Sequence, residues 1–466
     1  MRASAAAEKS GCRAVGIIST AFMKQSRVIA RALGMPDLAV AEYPGNVSLD
    51  DEETFLRKVE GLVPQIVQGL SSPNLPGERP EEPRLRDVVY EGTLDEVQEF
   101  YHSRQWTDGL PIVPPTAERI ERFLEFTDRS PEERIGILPP ERREATVWNV
   151  AVNGVMAGCR PEYMPILLGI VEAIADPAYR LEDAGSTSGG EPVVVLNGPL
   201  IKELDFNYGQ GVARVGRRAN TSVGRFLRLY MRNVAGFRIP PGETDKACIG
   251  AGFNVALAEN EEAVTALGWK SFAAEQGLGN GNVVSVMNVR SVSPPIYSAG
   301  TAAANHLRKF TDVWGKGTWL WSAYQGPRSL KMNGILAMPP IVAKVIAGEG
   351  LTKRDVGRYL YDNAWMTAGV MEQSARDDGG NTGFDLCAFV EQGLIPSEYC
   401  RSHDPDRLVR IFWKPEELGI VVTGDPLRNL SRGYMGGGKS GATTSKEIRL
   451  PHKWHQLRQK PDLPAQ

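Results

Sequence analysis

Apolar and polar positions fall into short, distinct periods from the start of the chain. Ala14 to Ile18 (AVGII) reads as a buried strand, and Ser19 and Thr20 then cap a helix carrying Phe22, Val28, Ile29 and Leu33 that stops at Gly34. Leu38 to Tyr43 (LAVAEY) reads as a second strand. Ser48 opens a second helix, whose acidic first turn precedes Phe55, Leu56, Val59, Leu62, Val63, Ile66 and Val67 in helical register. Strand, helix, strand, helix predicts half of a parallel α/β sheet over residues 1–70. Such a fragment is small for a core of its own and is expected to complete a sheet with another element.

Residues 71–87 hold four prolines and mixed charges and read as a linker. Residues 88–466 read as one large α/β or α+β domain. The pattern predicts helices over 94–104, 145–156, 164–175 and 351–363. It predicts strands over 192–196, 283–289, 335–338 and 418–423, and a proline-stiffened loop over 106–116. No internal repeat and no low-complexity tract is visible.

The densest mixture of helix signal and polar groups runs from Gly211 to Glu262. Val223, Phe226, Leu227, Tyr230, Met231 and Val234 share one helix face, while Arg225, Arg228 and Arg232 lie on another. Asn220 reads as the N-cap, with Arg214, Arg217 and Arg218 crowding the helix start. Cations beside free helical amides make an anion site. The competing reading is a solvated basic face on a core helix.

Composition narrows the function. A chain of 466 residues with 42% hydrophobic content can bury a large core. Its 53 basic and 56 acidic residues give a net charge of −3, which argues against a general nucleic-acid binder. The arginine cluster therefore suits a small anionic ligand. Cys12, Cys159, Cys248, Cys387 and Cys400 lie far apart without a CxxC, a pattern of reduced thiols in a cytoplasmic protein. No apolar run approaches the roughly 20 residues of a bilayer span, and the N-terminus has no secretory h-region.

Gly433 to Ser440 (GYMGGGKS) matches the phosphate-loop pattern, but no amphipathic helix follows it. A backbone nest cradling an anion or carbonyl, from Gly437, Gly438, Lys439 and Ser440, is preferred to a nucleotide site, and a flexible surface loop is the competing reading. His306 sits in a small-residue run that permits close ligand approach, although a packed histidine is the stronger reading. Glu259 and Glu261 end an apolar run and could serve as acid, base or hard-metal ligand, or form a solvated turn. Cys159 stands beside Arg160, which would favour its thiolate; a buried inert thiol competes. Asp108 is either a turn residue or a fixed carboxylate on a rigid loop. No histidine pair has metal-ligand spacing, so no metal centre is assigned.

Residues Arg13 to Ile18, Thr20 to Phe22 and Ala30 to Leu38 resemble the C-terminal half of a bacterial domain named for its UGSC motif, selenocysteine or cysteine followed by Gly, Ser and Cys. In that family the reactive motif lies just upstream of the segment with which this chain begins, and Gly11-Cys12 is no equivalent. The large body resembles proteins that accompany this domain, through Asp108 to Thr116, Val155 to Tyr163, Arg218 to Asn220 and Ala258 to Glu262. The resemblance implies thiol- or selenol-based redox chemistry and a second subunit carrying the Cys/Sec-Gly-Ser-Cys motif. The expectation is thus the large subunit of a bacterial heteromeric oxidoreductase or lyase acting on a small anionic or polar organic substrate. Arg217, Arg218 and Asn220 would hold the substrate, Glu259 or Glu261 would move protons, and Cys159 or a partner thiol would be the nucleophile or reductant. No cofactor is specified. The alternatives are a hydrolase or hydratase using a divalent metal on the carboxylates, and a non-catalytic scaffold.

Overall fold

Successive residues of a strand point to opposite faces, and the central strands here are apolar on both. Such strands need cover on each side. The computed structural model describes residues 1–72, 84–184, 187, 189–239, 245, 247–250, 252, 255–318, 333–377, 383–412, 414–436 and 441–459.

Helix α1 (Arg2–Lys9) precedes β1 (Gly16–Ser19), α2 (Met23–Ala32), β2 (Val40–Tyr43) and α3 (Glu52–Ser71). Strands β1 and β2 run parallel and pair only with each other among the described residues, Gly16 opposite Val40 through Ser19 opposite Tyr43. Helix α3 starts later than Ser48, which lies in a 3₁₀ turn; Asp51 is its cap and accepts from Thr54 N at 2.8 Å. It packs Val59, Leu62 and Ile66 against Val15, Ala41 and Tyr43.

The body begins with α4 (Leu94–Ser103), α5 (Ala117–Leu124) and the hairpin of β3 (Arg134–Leu138) and β4 (Arg143–Thr146). Helices α6 (Val147–Met156) and α7 (Met164–Ala175) follow. The helix expected from 145 begins at Val147, because Ala145 and Thr146 finish β4 and Thr146 caps the helix.

Two sheets share one plan. In the first, β5 (Glu191–Asn197) runs parallel to β6 (Ala256–Ala258) and antiparallel to β7 (Val283–Val289). In the second, β10 (Gly334–Met338) runs parallel to β13 (Leu418–Val422) and antiparallel to β14 (Leu430–Met435). Each sheet takes its fourth strand from the other half. Strand β8 (Ser291–Val292) follows β7 yet pairs with β14, and β15 (Thr444–Glu447) follows β14 yet pairs with β7. Short β9 (Ile296–Tyr297) also pairs with β14, and β11 (Trp365–Thr367) pairs with β12 (Leu408–Arg410). This duplicated plan has no counterpart in the sequence pattern, because strand order depends on apolarity and direction rather than on repeated side chains.

Val193, Val195, Leu257, Met287 and Val289 of the first sheet meet Ile335, Val421 and Tyr434 of the second in one core. On the outer face, Val194, Leu196, Ala258, Val284 and Val286 pack beneath α6, α7 and the helix Arg218–Tyr230. Leu336, Met338, Ile420 and Val422 pack with Phe310, Ile346, Val356 and Leu360. The result is a four-layer α/β/β/α body, so the chain is α/β as its pattern implies. Among the described residues, no helix is long and apolar enough to cross a membrane.

The parallel strands of the two sheets end at a common seam. Glu259 N donates to Leu196 O, Asn260 N to Val422 O and Thr423 N to Met338 O. The Glu259 side chain is 0% exposed and accepts four hydrogen bonds. Its donors are Asn197 Nδ2 (2.8 Å), Phe272 N (2.6 Å), Lys353 Nζ (2.6 Å) and Val422 N (3.0 Å). Removing one partner of a buried pair leaves a charge stranded away from water. Lys353→Met is therefore expected to cost about 3–5 kcal/mol in urea unfolding. Lys202→Met, which breaks the exposed pair with Glu262, is expected to leave the unfolding midpoint nearly unchanged, because solvent screens such pairs. Equal losses would contradict the role given to the seam.

Candidate functional site

The expected site residues fall in separate places. The helix containing Asn220 is α9 (Arg218–Tyr230), following α8 (Leu200–Glu203), and it starts two residues before Asn220, with Arg217 at the cap. This corrects the N-cap assignment. Asn220 is buried and fully used: its Oδ1 accepts from Asn207 N (2.7 Å) and its Nδ2 donates to Asn207 O (2.9 Å) and Ala256 O (2.8 Å). It ties the preceding loop to β6. Arg217 pairs with Asp205 at the surface, and Arg218 Nε donates to Gly158 O at 3.3 Å.

Arg225 grips Asp108 through Nε and Nη2, at 2.8 and 2.9 Å, and also donates to Pro111 O. Arg232 Nε donates to Gln105 O, and Asn233 Nδ2 donates to Trp106 O. Arg225 of α9 and the turn that follows the helix thus fasten residues 105–111. Asp108 is fixed on that loop by an ion pair.

Cys159 lies at the end of α6, buried, beside Ser222 and α9. Burial pushes its thiol up to about 12, only partly opposed by Ser222, Arg218 and Arg225. Its sequence neighbour Arg160 pairs instead with Glu162 at 2.7 Å. Glu261, half-buried at the seam, accepts from Gly198 N (2.8 Å) and Asn197 Nδ2 (3.0 Å). His306 is buried, with Nδ1 hydrogen-bonded to Ser298 Oγ at 2.7 Å and Nε2 3.1 Å from Gly300 O.

Gly437, Gly438, Lys439 and Ser440 lie outside the described residues. The motif's first residues belong to β14, and the chain re-emerges toward strand β15 rather than a helix, so the strand–loop–helix setting of a nucleotide site is absent. The cysteine pattern also needs correction: Cys387 and Cys400, separated by 13 positions, form a disulfide. Distance along the chain concealed their proximity in the fold.

The structure assembles a further group at the other end of the sheets, where β5 begins and β7 ends. Arg228 of α9 lies between two acids, 3.2 Å from Glu191 and 3.4 Å from Asp245. Burial pushes the Glu191 carboxyl up to about 7; Arg228 pulls it back, and Asp245 repels its ionised form. Tyr179 stands close enough to feel the Glu191 charge, and its buried hydroxyl has no hydrogen-bond partner among the described residues. On the neighbouring strand, Asn288 is 2% exposed, and neither polar atom of its amide has a partner among the described residues. That amide lies against Gly190, where any side chain would overlap it. Gly436 and Gly441, the flanks of the glycine-rich loop, lie against Asn288 O and against Ala178 and Tyr179 O.

Comparison with known proteins adds one relationship. Residues 1–72 match the UGSC family. That segment comprises the β1–β2 unit and α3. No curated protein and no solved structure matches the chain.

Glu191 and Asn288 left signals in the sequence. Gly189-Gly190-Glu191-Pro192 places a carboxylate directly ahead of the apolar run Val193 to Leu196, and Asn288 interrupts the apolar strand VVSVMNV. Neither signal names a partner, because Arg228 and Asp245 arrive through the fold. A carboxyl raised in the folded state stabilises most below its unfolded value near 4.5 and loses that contribution as pH passes about 7. Wild type is therefore expected to lose about 3 kcal/mol relative to Glu191→Gln between about pH 5 and pH 8, measured by urea unfolding. Parallel pH profiles for the two proteins would overturn the assignment.

Proposed function

We propose that this chain is the large subunit of a heteromeric enzyme acting on a small anionic or polar organic substrate, with Glu191 as its proton-transfer group. The observation that carries this reading is a buried carboxyl 3.2 Å from Arg228, pushed up to about 7 by burial, with Tyr179 and Asn288 unpartnered among the described residues. A base or acid works best when its pKa lies near the working pH. Burial, a specific charge partner and unused polar groups together mark functional sites more often than structural ones.

The roles follow from the chemistry of each group. Arg228 attracts the anionic end of the substrate while Asp245 keeps the guanidinium in place. Glu191 takes a proton from the substrate when ionised and returns one when protonated. Tyr179, whose pKa is raised by burial, stays protonated and donates to a developing oxyanion. Asn288 offers one acceptor and two donors to the remaining polar atoms. These groups suit a lyase step, or the proton transfer that accompanies a redox step.

A thiol or selenol, if the reaction uses one, belongs in this reading to a partner with the Cys/Sec-Gly-Ser-Cys motif. Cys159 at about 12 is almost wholly protonated at neutral pH and is a poor nucleophile. The N-terminal unit provides a docking surface. Leu56, Val63, Val67 and Leu70 form an exposed apolar stripe along α3, beside the stripe of Val59, Leu62 and Ile66 that covers the sheet. A subunit adding strands beside β1 or β2 would cover that stripe as well.

Two measurements test the two parts separately. In a thermal-shift panel of small carboxylic, phosphonic and sulfonic acids, at least one is expected to stabilise wild type. Arg228→Lys and Asn288→Ala should abolish that shift, and Lys202→Met should leave it intact. A ligand shift that survives both site variants would sink the Glu191 site. In native mass spectrometry with co-expressed neighbouring gene products, a UGSC-motif subunit is expected to bind wild type and be lost from Val63→Glu/Val67→Glu. A partner-free homo-oligomer would sink the heteromer alone.

A further inference from the structure

We propose that Cys387, Cys400 and His403 form a zinc site when the two cysteines are reduced. The three residues offer two sulfurs and an imidazole nitrogen that all lie within 4.8 Å of one another. Tetrahedral zinc bonds of about 2.3 Å to sulfur and about 2.0–2.1 Å to nitrogen place such ligand atoms roughly 3.5–3.8 Å apart. Small side-chain rotations close the difference, since the two cysteine Cα atoms are already 4.9 Å apart.

The surrounding chain holds this geometry by contacts that do not involve the sulfurs. Cys387 lies in the first turn of helix Leu386–Glu391, where Asp385 Oδ1 accepts from Cys387 N (2.8 Å) and Ala388 N (3.0 Å). Cys400 closes the 3₁₀ turn Ser397–Cys400, anchored by buried Tyr399. The loop carrying His403 is clamped by Arg407. Its guanidinium donates to Tyr399 O (3.1 Å), Asp404 O (3.0 Å) and the Glu372 carboxylate (3.1 Å). The ligands are thus presented by fixed backbone.

His403 supplies the second, independent observation. A disulfide needs no imidazole, yet this ring stands beside both sulfurs, exposed, with no hydrogen-bond partner among the described residues. Soft thiolates with one imidazole favour zinc over magnesium or calcium. Three protein ligands leave a fourth position for water or an incoming group. The disulfide and the metal are mutually exclusive, because the sulfur–sulfur bond leaves neither thiolate available. A phosphine interconverts the forms in a balanced step. Two electrons from phosphorus break the sulfur–sulfur bond, water supplies the phosphine-oxide oxygen, and both sulfurs leave as thiols. Zinc then displaces the two thiol protons.

The test uses the full chain, reduced with a phosphine, equilibrated with zinc sulfate, desalted and analysed for metal. About one zinc per chain is expected, and none after oxidation to the disulfide. Cys387→Ser and Cys400→Ser should each abolish retention, and His403→Ala should weaken it about tenfold or more. Cobalt titration of reduced wild type should produce a thiolate-to-cobalt charge-transfer band, and this needs no variant to fold. No band, or zinc binding indifferent to His403, would overturn the proposal.

Discussion

One ionised carboxylate, sealed from water, holds the two halves of the body in register. Glu259 follows β6 and receives donors from β5, from the first residue of helix Phe272–Glu275, from Lys353 and from β13. A buried charge is tolerated only when its partners are complete, and four donors occupy both carboxylate oxygens here. Any relative shift of the sheets would break several of these bonds together. The requirement therefore acts less as added stability than as a constraint on how β6 and β13 meet.

The swapped strands impose the same constraint from the other direction. Because β8 and β15 each cross to the opposite sheet, neither half can close its sheet without the other. The two ends of the body consequently differ in chemistry. At the seam, the Glu259 carboxylate is saturated by fixed donors. At the crossover end, Glu191 has one arginine shared with Asp245, and Asn288 and Tyr179 keep unused polar atoms. Unsatisfied buried groups are costly, and this end gathers several of them in one place, whereas the seam has none on its central carboxylate.

The N-terminal unit follows another logic. Two parallel strands and three helices bury a small core, and α3 carries two adjacent apolar stripes where one would suffice for a helix lying on a sheet. The second stripe is exposed among the described residues. This is the portion that matches the UGSC family, so the relationship to a known family and the surface open to association coincide.

Periodicity alone determined the α/β class and the positions of the strongly patterned elements, including the full spans of α7 and β7, because each depends on neighbours within a few residues. The capping of Lys353–Asn363 by Thr352 was legible for the same reason. Local signals could not reveal where long side chains go. Arg225 reads as one of three cations on a basic helix face until Asp108, 117 positions earlier, is brought against it. Asn220 reads as a cap until Asn207 and Ala256 claim its amide. Arg160 beside Cys159 promised a thiolate, but burial dominates and the cation turns to Glu162. The pairing of Cys387 with Cys400, the meeting of Glu191 with Arg228 and Asp245, and the shared plan of the two sheets were left to tertiary structure. Burial and contact between distant segments set the charge, reach and partners of a side chain, and neither is a property of its neighbours in sequence.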